Sequence, residues 1–268
     1  MKSIVLSGAS GGMGLETLKK FASNGYFVFA IDIKEPKEKI ENSLFIQTDL
    51  RDIKSIEKAY EIVKEKSKEI DAIISMAGIY DLNSLIEMSE EDFMKIFDIN
   101  VFSVYRLNKT FVPLLKEKGK VIITSSELAP LDPLPFNGIY AITKTTVEAY
   151  AYSLRMELQL LDKQVVVIRP GAVNTSLIDI SMEKINAFQD NSELYKTNAE
   201  RFKKIVNSVE SRKIPPLKIA NLAYKINNKK RPRYVYKINR NPLLLLLNIL
   251  PQRFQNWIIK RILKPKEK

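Results

Sequence analysis

Ser7-Gly8-Ala9-Ser10-Gly11-Gly12-Met13-Gly14 lies between two segments of opposite character. Ser3 to Leu6, just before it, reads as a short buried strand, while Leu15 to Asn24, just after it, has helical periodicity and stops at Gly25. Strand, glycine-rich turn and helix in immediate succession form the layout that seats a pyrophosphate on a helix N-terminus. Glycines let the anion approach the backbone, and the first N–H groups of a helix have no partner inside it. Without a ligand the same stretch is a tight strand-to-helix turn, so the neighbouring sequence has to choose between the two.

The following segments favour the anion. Tyr26 to Ile31 is a second apolar strand ending at Asp32. An acid about twenty residues past such a turn accepts from both hydroxyls of an adenosine ribose and repels a 2′-phosphate. No Arg or Lys stands inside the glycine turn, so NAD is expected over NADP, with Lys34 near enough to leave NADP open. Leu44 to Gln47 reads as a third strand leading to Thr48-Asp49-Leu50, where Asp49 is placed to meet the adenine edge. Asp52 to Lys68 is an amphipathic helix, and Asp71 to Ser75 a fourth strand ending in Met76-Ala77-Gly78. Glu90 to Phe97 and Val101 to Lys116 read as helices meeting around Asp98-Ile99-Asn100-Val101. Lys120 to Thr124 is a fifth strand ending in Ser125-Ser126, followed by a proline-broken loop and a long helix from about Ile139 to Leu161. Gln164 to Ile168 is a sixth strand, running into Arg169-Pro170-Gly171-Ala172-Val173-Asn174-Thr175. Residues 177–216 are polar and helical in pattern and follow a strand's carboxyl end, where a mobile lid would sit. Leu217 to Asn227 and Arg233 to Ile238 read as a further helix and a seventh strand. Strands alternating with helices in this rhythm imply a parallel sheet covered on both faces, with ligands at the carboxyl ends of its strands.

Tyr140 and Lys144 stand four apart in the first turns of the long helix, so phenol and ammonium share one face. A nearby cation favours the phenolate, which would let Tyr140 exchange a proton with a carbonyl or alcohol near neutral pH. The bland reading is a packed ring beside a solvated charge. The chain has no histidine and no cysteine, which removes Ser-His-Asp chemistry, thiolate nucleophiles, disulfides and the usual zinc sites; no metal site is expected. Acid–base work near neutral pH is left to Tyr, Lys, Asp or Glu.

These pieces together resemble the short-chain dehydrogenase/reductase family over roughly residues 1–240: the glycine motif from Gly8 to Gly14, Asn100, Ser126, Tyr140 with Lys144, and Pro170 to Thr175. The resemblance implies a Rossmann-type doubly wound α/β sheet in a single domain. It implies Tyr140 as general acid/base, Lys144 as the group that lowers its pKa and holds the nicotinamide ribose, and Ser126 as the hydrogen bond to the substrate oxygen. Asn100 would hold a water linking Lys144 to solvent, and Val173 and Thr175 would fix the nicotinamide carboxamide. The expected cofactor contacts are Gly8, Ser10, Gly11, Gly12, Met13, Gly14, Asp32, Asp49, Leu50, Ala77, Gly78, Tyr140, Lys144, Pro170, Gly171, Val173 and Thr175. Singly, Asn100 could serve a helix kink, Ser126 a turn and Thr175 a helix cap. Two positions depart from the family pattern: Met76 stands where asparagine is usual, losing or replacing a hydrogen bond at the cofactor-side turn, and Ser7 stands for threonine.

The formal charge of +12 is concentrated at one end: residues 225–268 hold thirteen Lys/Arg against Glu267 alone, leaving thirty of each sign in residues 1–224. No apolar run reaches the ~20 residues that span a bilayer, the N-terminus has no secretory h-region, and a cytoplasmic protein is expected. Residues 241–268 extend past the resemblance as an apolar and basic tail. In it Gln252 to Leu263 would carry Phe254, Trp257, Ile258, Arg261 and Ile262 near one face, with Gln255 and Lys260 elsewhere. That suits an anionic membrane interface at the inner surface. Packing on the protein itself, as a cover over the cleft, and a leucine-rich contact in a homo-oligomer are the alternatives; nucleic acid is not expected. The expected activity is hydride exchange between nicotinamide and a ketone or secondary alcohol, lipid-like in view of the tail. The rival is a non-catalytic NAD-binding module that presents the tail to a membrane or partner.

Overall fold

The computed structural model describes residues 1–210 and 212–265, without the side chains of 176–182 and 207–210, so the last three residues of the basic tail lie outside the described residues. Seven strands, β1 Ser3–Ser7, β2 Phe27–Asp32, β3 Ser43–Gln47, β4 Ile70–Ser75, β5 Leu115–Thr124, β6 Gln164–Pro170 and β7 Val235–Ile238, form one sheet in the order β3-β2-β1-β4-β5-β6-β7. Every pairing is parallel. The helices are α1 Gly12–Ala22, α2 Ile53–Lys66, α3 Glu90–Phe97, α4 Ser103–Phe111, α5 Gly138–Leu158, α6 Ser176–Asn191, α7 Lys196–Glu210, α8 Leu217–Asn227, α9 Pro242–Ile249 and α10 Gln252–Leu263.

Alternation of side chains along each strand divides the apolar residues between two cores. Val5, Phe29, Ile31, Ile73, Ile123 and Val167 pack with α2, α4 and α5. Ile4, Leu6, Val28, Ile74, Ile122 and Ile168 pack with α1 and α8 on the other face. Strand order reverses between β1 and β4, and the crevice opens there at the carboxyl ends.

A third cluster, Leu82, Ile185, Phe202, Val206 and Leu263, lies apart from the two sheet faces and joins α6 and α7 to the tail. Phe136, at φ 68° just before α5, inserts its ring among Phe188, Tyr195 and Phe202. A bulky residue in the left-handed region is held there by its surroundings, and this aromatic nest fastens α6 and α7 to the loop that precedes Tyr140.

Two sequence expectations need correction. The helix read as running to Lys116 ends at Leu114 in a 3-10 turn, because Pro113 has no N–H to continue it. The strand read as starting at Lys120 begins at Leu115 and bulges where Ile70 faces Leu115 but Ala72 faces Lys120, with Lys118 at φ 59°.

The tail also differs from its reading. Gln255, expected away from the apolar side of α10, is buried; its amide donates to Asp132 Oδ2 at 3.0 Å and to the Leu250 carbonyl at 2.8 Å. Gln255, Ile259 and Leu263, one turn apart, make the inward stripe, while Phe254, Trp257 and Ile262 are exposed. The tail thus packs on the body through one face and leaves its other apolar face uncovered among the described residues.

Candidate active site

The glycine turn forms one wall of a cleft of about 350 Å³ over the carboxyl ends of β1, β2 and β4. Gly8 has φ +71°, and a Cβ there would lie 2.5 Å from the Ala77 nitrogen. A Cβ on Gly12 would lie 2.7 Å from Thr175 Cγ2. Backbone fills the space that side chains take elsewhere, and α1 starts at an uncapped Gly11 with Gly12, Met13 and Gly14 of its first turn lining that cleft. Asp32 closes the far side: Oδ2 accepts from Ser10 N–H at 2.9 Å and Oδ1 from Ile33 N–H at 2.8 Å. Ser10, Gly11, Gly12, Met13, Gly14, Asp49, Leu50, Ala77, Gly78 and Thr175 line the same cleft.

The two departures from the family pattern have visible outcomes. Met76 turns its thioether into the core beneath the glycine turn, where the sulfur accepts from Thr17 Oγ1 at 3.3 Å. The same hydroxyl also donates to the Met13 carbonyl at 2.8 Å, so the sulfur shares its one proton. The Ser7 hydroxyl has no hydrogen-bond partner among the described residues. Asp49, read as facing the adenine edge, lines the cleft and is spanned by the Arg51 guanidinium, with Nε–Oδ1 3.0 Å and NH2–Oδ2 2.7 Å, which holds its carboxyl below the usual range. Arg51 lines the cleft and was not singled out from sequence.

Next to this cleft lies a second cavity, of about 190 Å³, bordered by Ser126, Tyr140, Lys144, Pro170, Gly171 and Val173. Of the expected cofactor contacts, Tyr140, Lys144, Pro170, Gly171 and Val173 fall here and not in the glycine cleft. Met13, Met76, Gly78, Ile79 and Thr175 border both, so the two spaces share a wall. Gly171 is required by its neighbour: a Cβ would overlap the Asn239 carbonyl oxygen at 1.9 Å. Phe202, Ile205 and Val206 from α7 and Leu244 from α9 roof the cavity.

The helix α5 delivers Tyr140 and Lys144 as its spacing requires. The Tyr140 hydroxyl hydrogen-bonds with Ser126, whose oxygen also accepts from Leu128 N–H at 3.2 Å. Lys144 Nζ lies 5.6 Å from the Tyr140 ring centre and donates to the Thr124 carbonyl at 3.2 Å. Tyr80 packs edge-on against Tyr140 at 4.6 Å.

Their electrostatics differ from the sequence reading. The ammonium was expected to lower the phenol; instead burial pushes Tyr140 up to about 12, with the Ser126 hydrogen bond acting the other way. Burial also pushes Lys144 down to about 8, against the attraction of Glu148. Spacing alone predicts an attraction between the two, while desolvation, which is set by the tertiary fold, is the largest influence on both groups.

Asn100 lies where the helix between Phe97 and Ser103 widens into a π turn. Its Oδ1 accepts from Ile79 N–H at 2.8 Å, and Nδ2 donates to the Ile79 carbonyl at 2.9 Å and to Thr143 at 3.1 Å. It therefore clamps the loop after β4 against α5, and its Oδ1 and Lys144 Nζ both lie within 4 Å of the Cβ that Gly78 lacks. Thr175 occupies the N-cap of α6 but makes no capping hydrogen bond, so capping does not account for it.

Sequence reasoning missed Glu148, Glu127 and Asn137. Glu148 binds Arg169 Nε at 2.7 Å and Ser125 Oγ at 2.8 Å; its place one turn beyond Lys144 was the available signal. Glu127 and Asn137 lie in the loop between β5 and α5, and only the closed cavity reveals that both border it.

A sequence model of the short chain dehydrogenase family matches residues 2–185. The 3-ketodihydrosphingosine reductase of Bacteroides thetaiotaomicron is 25% identical over 95% of this chain and 92% of that protein. The NADPH-dependent 3-dehydrocapnine reductase of Ornithobacterium rhinotracheale is 27% identical over 98% of each. The ligand-free aldohexose dehydrogenase of Thermoplasma acidophilum superposes with a TM-score of 0.73 at 16% identity, over 90% of this chain and 95% of that one.

Proposed function

The chain belongs to the short-chain dehydrogenase family, and from that premise we propose that it exchanges a hydride between a nicotinamide dinucleotide and a ketone or secondary alcohol, with Tyr140 as general acid/base. One observation carries this reading: the Tyr140, Ser126 and Lys144 side chains converge on a cavity that shares a wall with the glycine-turn cleft. The cleft fits a dinucleotide, because an uncapped helix start at Gly11 lines one side of it and the Asp32 carboxylate lines the other. Gly8 to Gly14, Asp32, Leu50, Ala77, Gly78 and Thr175 would hold it, and the nicotinamide supplies or accepts the hydride.

The chain's own residues do the rest. Ser126 donates a hydrogen bond to the substrate oxygen, and Tyr140 passes it a proton. Lys144, held by the Thr124 carbonyl, stands ready to stabilise the phenolate that remains. Apolar residues of α7 and Leu244 keep bulk water from the cavity and favour an apolar, lipid-like carbonyl. The Bacteroides relative, named a 3-ketodihydrosphingosine reductase, supports a lipid ketone. Asp32 favours NAD, although the second relative is named NADPH-dependent and Arg51 and Lys34 border the cleft.

The tail extends the reading to an anionic membrane surface. No helix among the described residues is long and apolar enough to cross a membrane. The exposed Leu243, Leu246, Ile249, Phe254 and Trp257 lie on the segment with the charge excess, which suits a peripheral contact at the inner face of a cytoplasmic membrane. Sedimentation with phosphatidylglycerol and phosphatidylcholine vesicles tests this: wild type should pellet with the anionic vesicles only.

The activity is tested by following NADH and NADPH oxidation with a panel of alkyl ketones. Tyr140→Phe should lower turnover by about 10²–10⁴-fold without abolishing dinucleotide binding. Tight binding of either dinucleotide with no ketone-dependent oxidation in wild type or variant would favour the non-catalytic rival.

A further inference from the structure

Glu127 directly follows the serine that hydrogen-bonds Tyr140, and it is the one acid bordering the substrate cavity among the described residues. It is 6% exposed. Oε2 accepts from the Asn241 N–H at 2.6 Å, which ties the start of α9 to the cavity wall. Oε1 packs against Gly171, 2.9 Å from where a Cβ would stand. No Lys or Arg among the described residues makes an ion pair with it, and Arg240 acts on it only at longer range. A carboxylate is an expensive way to hold one backbone N–H, since a buried negative charge loses its hydration while a glutamine would accept the same bond.

A second acceptor borders the same cavity. Asn137, 5% exposed, borders it too, and its buried Oδ1 has no partner among the described residues. The second carboxylate oxygen of Glu127, which no hydrogen bond among the described residues engages, and the Asn137 side chain, in a cavity otherwise bordered mainly by apolar groups, complement a ligand that brings its own N–H donors and positive charge. The cavity's one basic group, Lys144, is already tied to the Thr124 carbonyl.

We propose that Glu127, with Asn137, binds a protonated amine carried by the substrate close to its reacting carbonyl, so that the preferred substrates are amino ketones or amino alcohols with an apolar chain. The closeness follows from sequence adjacency: consecutive Cα atoms are ~3.8 Å apart, so a cation at Glu127 is within a few bonds of an oxygen held by Ser126. The proposal deepens the oxidoreductase reading and rests on it for the word substrate, but its binding arm does not need turnover.

Binding is measured by calorimetry on the full-length protein, wild type and Glu127→Gln, with octylammonium chloride and octanol as probes. Glutamine keeps an acceptor for the Asn241 N–H, so the tail stays fastened. Wild type should bind the ammonium about ten-fold or more tighter than the alcohol, and Glu127→Gln should erase that preference. Equal affinities in wild type, or a preference that survives in Glu127→Gln, would overturn the proposal. In the turnover arm, a methyl alkyl ketone is compared with its α-amino derivative of equal length. The ratio of their kcat/KM values, amine over neutral, should drop about ten-fold in Glu127→Gln. If neither ketone is reduced while the binding preference holds and depends on Glu127, the oxidoreductase reading fails and the cation site stands. If both are reduced with no amine preference, the reverse is true.

Discussion

Replacing Lys144 by Met should stabilise the protein while crippling it. The ammonium is 6% exposed, and burial brings its pKa from 10.5 to about 8. A base that is harder to protonate when folded opposes folding as long as both states carry the proton. The drop from 10.5 to about 8 amounts to about 3 kcal/mol against the folded state at pH 7. Losing the hydrogen bond to the Thr124 carbonyl returns about 1 kcal/mol of that, so Lys144→Met should be more stable by about 2 kcal/mol at pH 7. Between pH 8 and 10.5 the unfolded wild type retains a proton that the folded protein has shed, so wild-type stability climbs across that window. By pH 9.5 the advantage of the variant should have shrunk by about 2 kcal/mol, close to nothing. Urea denaturation at both pH values measures the gap, and ketone turnover should fall by about 10²-fold or more in the same preparation. A variant less stable than wild type at pH 7, or a gap equal at both pH values, would refute the claim that desolvation dominates this lysine.

Other substitutions probe the walls of the site. Gly8→Ala forces a side chain into a left-handed turn 2.5 Å from the Ala77 nitrogen, so it should cost about 2 kcal/mol or more and weaken dinucleotide binding in a fluorescence titration. Asn100→Ala leaves the Ile79 N–H and carbonyl unpaired and should lose about 1–3 kcal/mol per buried group, read by urea melting. Asn100→Asp, which keeps the acceptor for the N–H, should recover part of that loss. Glu148→Gln removes the attraction that holds Lys144 up, so the pKa of the lysine should move below about 8. Acetylation of Lys144 as a function of pH, followed by mass spectrometry, reports the midpoint, and an unmoved midpoint would contradict the assigned coupling.

The sheet was legible in sequence because each strand is an apolar run and each run stops at a turn residue. The Tyr140–Lys144 pair was legible because helical spacing is a local property. What the sequence hid depends on packing. Burial reversed the expected shift at Tyr140, and no linear pattern records how deep a hydroxyl lies. The helix α10 is apolar on two faces, so periodicity had no basis for choosing Ile259 and Leu263 over Phe254 and Trp257 as the inward set. Gln255 went inward because Asp132 and the Leu250 carbonyl, far apart in the chain, meet its amide there. The start of β5 was masked by the bulge at Lys118, which breaks the alternation that identifies a strand. Glu127 sits in a loop whose composition resembles any other, and it becomes conspicuous only once the cavity has a ceiling.

That ceiling has two sources, α7 with Phe202, Ile205 and Val206, and α9 with Leu244. Both follow β1, β2 and β4 in the chain, so the strands that carry the nucleotide crevice are separate in sequence from the helices that enclose the pocket. Proteolytic clipping just ahead of Asn241 would take Leu244 and the Asn241 tie to Glu127 from the pocket and leave α7 and all seven strands in place.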